Sequence, residues 1–174
     1  MHTPGPEGAG RQIEFLRPTT DDVRSLPSEL LESSKKHFSG RKELWYPESE
    51  LVSQILADKD AIPYAYPYPE RLWILVKSNW DVFSNMGAFE DWWRLGNLHV
   101  DSVADVLNRF EANTPLGLHV IHRVSPKVLA KRYGDPAGRK IYGDKDDYLG
   151  LCVARYCEES GEVAAARRST LAIG

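Results

Sequence analysis

The chain has 174 residues, a net charge of −3, 42% hydrophobic and 27% charged residues, and two cysteines. A chain of this size can bury roughly 70% of its unfolded surface, so a core needs no disulfide or metal staple. The mild acidity excludes a general attraction to nucleic acid or anionic membrane, and no apolar run reaches the roughly 18 residues of a spanning helix.

Residues 1–11, with three glycines and two prolines, form an expected disordered tail without the apolar segment of a signal peptide. The expected address is cytoplasmic, where Cys152 and Cys157 stay free thiols. A single globular domain is expected over 12–157, followed by a tail over 158–174 that holds at most a short Ala-rich helix.

Ile13 and Phe15 alternate with Gln12 and Glu14, which predicts a short strand ended by Arg17-Pro18. Thr19 or Thr20 caps a first helical turn, with Asp21 and Asp22 favourably placed against the helix dipole. A second helix after Pro27 runs to about Phe38. Pro47 opens a third, with Leu51, Val52, Ile55 and Leu56 as its buried stripe. Three prolines keep Ala61–Glu70 extended, and Tyr64, Tyr66 and Tyr68 then lie along one side.

Trp73–Val100 carries four of the five tryptophans. It reads as a strand over Leu72–Val76, a turn at Ser78-Asn79, a helix to about Leu95 and a stop at Gly96. Val82, Met86, Phe89 and Trp93 share one face of that helix, and Trp92 sits about 100° away. Asp101 or Ser102 caps the next helix, with Val103, Val106, Leu107 and Phe110 at helical spacing. A strand is expected over Leu116–Val124, a short helix after Pro126, a loop over Gly134–Asp147, and a last strand over Tyr148–Tyr156. Leu116-Gly117-Leu118-His119-Val120 echoes Leu149-Gly150-Leu151-Cys152-Val153, read as two similar strands rather than a duplication. The predicted class is α+β (or α/β), a mixed sheet of about four to five strands packed by about five helices.

If the two expected strands are neighbours, one face combines His119, Arg123 and Tyr156 with Gly117, Gly150, Cys152 and Ala154. Around a cavity these would supply a general base, an anion clamp and a hydrogen-bond donor. His119, His122, Cys152 and Cys157 are zinc ligands by type, but their spacings do not suit a tight metal turn. No metal and no cofactor are therefore expected. Nucleophile-elbow, P-loop, dinucleotide-binding and zincin motifs are absent.

Ile13-Glu14-Phe15-Leu16-Arg17-Pro18-Thr19-Thr20-Asp21-Asp22 resembles the first strand and helix start of the GNAT-type acetyltransferases, and Val124-Ser125-Pro126 resembles the strand end before their acetyl-CoA loop. The pyrophosphate turn of that family, Arg/Gln-x-x-Gly-x-Gly/Ala, is replaced here by Lys131-Arg132-Tyr133-Gly134-Asp135-Pro136. The resemblance therefore assigns no membership and implies only an acyltransferase-like alternative.

The sequence favours a non-enzymatic partner-binding or regulatory protein of the toxin-neutralising, chaperone-like or adaptor type. Tyr64, Tyr66, Tyr68 and Trp92 are its candidate contact residues, because Tyr and Trp are enriched at interface hot spots. The expected partner is another protein. The alternative is a small-ligand enzyme, acyltransferase-like or a hydrolase, built on His119, Arg123 and Tyr156. Nucleic-acid binding through Lys127, Lys131, Arg132, Arg139 and Lys140 ranks last.

Overall fold

The computed structural model describes residues 14–37, 45–58, 74–84 and 90–171. Tyr64, Tyr66, Tyr68, Met86 and Phe89 lie outside them.

The expected first strand is a 3-10 turn over Glu14–Leu16, with Phe15 and Leu16 exposed. An apolar side chain such as Phe15 gains nothing from a strand whose face is uncovered, and Gln12 and Ile13 lie outside the described residues. The capping expectation holds. Thr19 accepts the Asp22 N–H, and the Asp22 carboxylate accepts the Thr19 N–H at 2.7 Å. This capping box starts α1 (Thr20–Arg24), and α2 (Ser28–His37) follows Pro27. The segment before α1 is tied to the far end of the chain: Thr20 N–H donates to Arg139 O at 2.8 Å and Ile141 N–H to Pro18 O at 2.9 Å.

β1 (Tyr46–Pro47) pairs antiparallel with β5 (Ile141–Tyr142), and Pro47 leads directly into α3 (Glu48–Ala57). Leu51, Val52 and Ile55 are buried as the helical spacing predicts, while Leu56 stays partly open.

The Trp-rich stretch differs most from expectation. It forms a three-stranded antiparallel meander of β2 (Leu75–Val76), β3 (Asp81–Phe83) and β4 (Arg94–Asn97), in the order β2-β3-β4. The turn expected at Ser78-Asn79 joins β2 to β3, and among the described residues of the expected helix Asp81–Phe83 is strand and Asp91–Trp93 a 3-10 turn. A bulge between Val82 and Phe83 lets two consecutive side chains of β3 be buried. A 3-10 turn over Asp91–Trp93 leads into β4 and buries Trp93. The i, i+4, i+7, i+11 spacing is thus a coincidence, with Val82 and Trp93 reaching the core from different elements.

Ser102 and Asp105 form a second capping box at the start of α4 (Val103–Glu111). The two expected strands beyond it are helices, α5 (Leu116–Arg123) and the first part of α7 (Lys145–Leu171). Between them lies α6 (Pro126–Tyr133), with Pro126 in its first turn and Ser125 capping the Lys127 N–H. Helix α7 packs against α3, α5 and α6. Tyr148, Leu149, Leu151, Cys152, Val153 and Ala154 are all buried in it. A helix covered by several neighbours loses its polar stripe, so its sequence reads like a buried strand. The short helix expected beyond Glu158 is the continuation of α7.

The class is α+β, with five short strands in two antiparallel sheets among the described residues, in place of one mixed sheet. The strand expected before the acetyl-CoA loop is the end of α5, and the first strand of the GNAT resemblance is the 3-10 turn. The sequence echo joins two packed helices. Among the described residues no helix is long and apolar enough to cross a membrane.

Candidate interaction surface

Because Leu116–Arg123 and Tyr148–Tyr156 are helical, the sheet face that grouped His119, Arg123 and Tyr156 is not formed. On α5, Leu118, Val120 and Ile121 turn inward, and His119 and Arg123, four apart, are exposed. His122, between them, is half-buried, and burial followed by the nearby Arg123 charge lowers its pKa. Tyr156 belongs to a different group. It lies half-buried on α7 beside Arg132, whose guanidinium stands 5.8 Å from its ring centroid and bonds the Glu159 carboxylate.

The interior chemistry is structural. The Tyr148 O–H and the Asp135 N–H both donate to Glu48 Oε1, each at 3.3 Å, and Glu48 is almost fully buried at the start of α3. Burial pushes the Cys152 thiol up to about 12, against a lowering hydrogen bond with Tyr148, so the sulfur is protonated and a poor nucleophile at neutral pH. Cys152 and Cys157 are both buried thiols. Among the described residues, no three His, Cys, Asp or Glu side chains are placed together to hold a metal.

Trp92, expected at the interface, is half-buried and packed against the core next to buried Trp93. Among the described tryptophans the most exposed is Trp80, at 49%. It follows the Ser78-Asn79 turn in the left-handed region, at φ 65°. That conformation costs an ordinary L-residue about 1–2 kcal/mol and is an outlier for so bulky a side chain. The turn tolerates it because both of its peptide groups are engaged. The Trp80 N–H donates to Lys77 O at 2.9 Å, and Trp80 O accepts the Leu98 N–H at 3.0 Å.

The ring is braced as well. His99 meets it edge-on, with centroids 5.6 Å apart and planes at 66°. Val100, next in the chain, is 84% exposed, and Val103 at the start of α4 is 63% exposed. Leu107, one turn further along α4, is also exposed. Half of the apolar stripe read on this helix thus stays in solvent, while Val106 is buried and Phe110 packs partly against the core.

The backbone beneath is held by charge-assisted bonds. Asp81 pairs with Arg94, and Asp101 pairs with Arg109 at 2.7 Å. The Arg109 guanidinium also donates to Leu95 O at 2.9 Å. These bonds hold both carboxyl groups below the usual range. Asn97 is the leading cause at Asp81, and Arg109 is the leading cause at Asp101, where the value is about 2. The structure thus sets an exposed aromatic edge, Trp80 against His99, on a hydrogen-bonded base. Sequence reasoning missed Trp80 because nothing in Lys77-Ser78-Asn79-Trp80 marks the left-handed residue, a place usually taken by Gly.

No family model, curated protein or solved structure matches this chain.

Proposed function

We propose that this chain is a non-enzymatic partner-binding or regulatory protein of the toxin-neutralising, chaperone-like or adaptor type, acting on another protein through an aromatic surface centred on Trp80. One observation carries the reading: a tryptophan is kept half in solvent on a strained backbone and braced there by His99. Strain at a surface aromatic persists only where its surroundings over-determine it, and such strain clusters at functional sites. Tryptophan is also the side chain most characteristic of interface hot spots. Val100, Val103 and Leu107 add exposed apolar side chains after His99 and along α4, and Trp92, Tyr64, Tyr66 and Tyr68 are kept as contact candidates on the sequence alone. A cytoplasmic address fits two buried thiols, and the reading needs no cofactor.

The acyltransferase-like or hydrolase alternative draws only on His119 and Arg123 sharing the open side of α5. Affinity capture from the native host with the full chain tests the two readings. The partner is recovered with the wild type and with His119→Ala, and lost with Trp80→Ala. Recovery that survives Trp80→Ala and Val103→Asp overturns the proposal.

A further inference from the structure

Trp80 and His99 lie on separate turns, and their ring contact exists only if those turns are held together. The Lys77–Trp80 turn joins β2 to β3; the Leu98–Asp101 turn joins β4 to α4. Asn97, the last residue of β4, bonds to both. Its amide Nδ2 donates to the backbone oxygen of Asn79 and to Asp81 Oδ1, each at 3.0 Å. Its Oδ1 accepts the His99 N–H at 2.8 Å. Its backbone N–H donates to Asp101 Oδ2 at 2.8 Å, and its backbone oxygen accepts the N–H groups of Val100 and Asp101 at 3.0 and 2.8 Å.

We infer that Asn97 is the positioning residue of the Trp80 surface, fastening the turn that presents Trp80 to the turn that presents His99 and Val100. The function of this coupling rests on the reading of that surface as a docking site.

Residue chemistry makes the role specific. The side chain must donate twice on one side and accept once on the other, a pattern that a primary amide supplies. Aspartate keeps the acceptor for His99 but has no donor for Asn79 O, and it would place a second carboxylate against Asp81. Alanine loses all three side-chain bonds. Around this amide, Arg94 holds Asp81 and Arg109 holds Asp101, so the two carboxylates that Asn97 meets are already fixed. Gly96 completes the frame. A Cβ there would lie 2.5 Å from both Arg109 Nη1 and Asp101 Oδ2, so a side chain at this position would push the Asp101–Arg109 pair away from the strand. Preorganisation of this kind raises affinity by removing the ordering cost at binding.

A brace that only stabilised the meander would change melting temperature and nothing else. The positioning role has its own signature, read without any partner. In the full-length wild type, the His99 imidazole protons are displaced by the Trp80 ring current, and Trp80→Ala abolishes the displacement. Asn97→Asp, which keeps the shape and the acceptor, loses part of it, and Asn97→Ala loses most of it, leaving what the Leu98 N–H bond to Trp80 O holds. Signals from α5 and α7 stay in place in both variants. His99 signals unchanged in Asn97→Asp and Asn97→Ala overturn the inference.

If Asn97→Ala does not fold, Asn97→Asp and the wild type decide the matter. In the wild type the His99 amide is protected from hydrogen exchange; exchange at the rate of an unstructured amide overturns the inference. An Asn97-dependent ring contact combined with partner capture that ignores Trp80→Ala overturns the docking reading alone.

Discussion

Gly117 lies flat against the indole of Trp93. A Cβ at Gly117 would stand 2.5 Å from Trp93 Cε3 and 2.7 Å from Cδ2, inside any real contact distance. The indole is itself 3% exposed and packed in the core, so any withdrawal has to displace its neighbours. Through this contact the 3-10 turn before β4 is seated on α5, and the meander on the helical half of the molecule. Gly117→Ala is therefore expected to destabilise the fold by about 1–3 kcal/mol, despite the better helix propensity of alanine. Thermal unfolding checks it. At this chain length about 2–4 °C is lost per kcal/mol, and an unchanged midpoint would show that the contact is soft.

Arg17 closes the other end of the molecule. Its side chain is fully buried, stacks 4.2 Å above the Tyr142 ring, and donates to Ile141 O at 3.3 Å and Asp147 Oδ2 at 3.4 Å. Tyr142 in turn meets Tyr148 edge-on at 5.0 Å. Removing the guanidinium takes away a stacked cation and leaves its acceptors poorly satisfied. Arg17→Met is expected to cost roughly 2–4 kcal/mol. Arg17→Lys should recover little of it, since an ammonium cannot stack and bond in two directions from the same position. Urea denaturation of both variants checks this, and a lysine variant as stable as the wild type would argue against it.

Three interior acids predict an alkaline limit. Burial raises the Cys152 thiol from 9.0 to about 12, raises Tyr133 from 10.0 to about 12, and raises Tyr148 upward from the usual phenol value. The unfolded chain releases these protons first. Their contribution to stability is therefore complete below about pH 9 and is lost as the pH rises towards 12. Chemical denaturation across that range should show a falling midpoint. Below it, a thiol reagent should label Cys152 and Cys157 only as fast as the protein opens. Labelling of the native protein at the rate of a free thiol would contradict the burial.

The acid side has the opposite sign. Asp101 is held at about 2, first by the Arg109 hydrogen bond and then by the Asn97 N–H. The stability tied to its ionised form is present above the ordinary 3.8 and is lost as the pH falls towards 2. Carboxyl carbon titration by NMR should show this low value, and Arg109→Met should return it towards the usual range. A value that ignores the substitution would mean that the pair is not formed in solution.

The sequence was legible where a local signal fixes a local structure. Thr19 and Ser102, each one of two expected caps, start their helices and close boxes with Asp22 and Asp105, Pro47 precedes α3 as its cap, and Ser78-Asn79 turns the chain. It misled wherever the answer depends on what covers a segment. A short apolar run such as Leu116–Val124 has too few residues for its period to be certain, and burial of α7 on several sides removes the polar stripe that would have marked a helix. The candidate site suffered most. Trp80 is exposed on a left-handed turn and Trp92 is half-buried in the 3-10 turn before β4, and residue order marks neither.

The account rests on Trp80 as the point of contact, and a photo-crosslinker introduced at exposed Val100, with Trp80 kept, tests it most directly in the native host. The expected result is one protein adduct at position 100, absent from a crosslinker at the partly exposed Leu56 and suppressed by excess wild-type chain but not by excess Trp80→Ala chain. An adduct yield at position 100 no greater than at position 56, or one that Trp80→Ala suppresses as well as the wild type does, would contradict it.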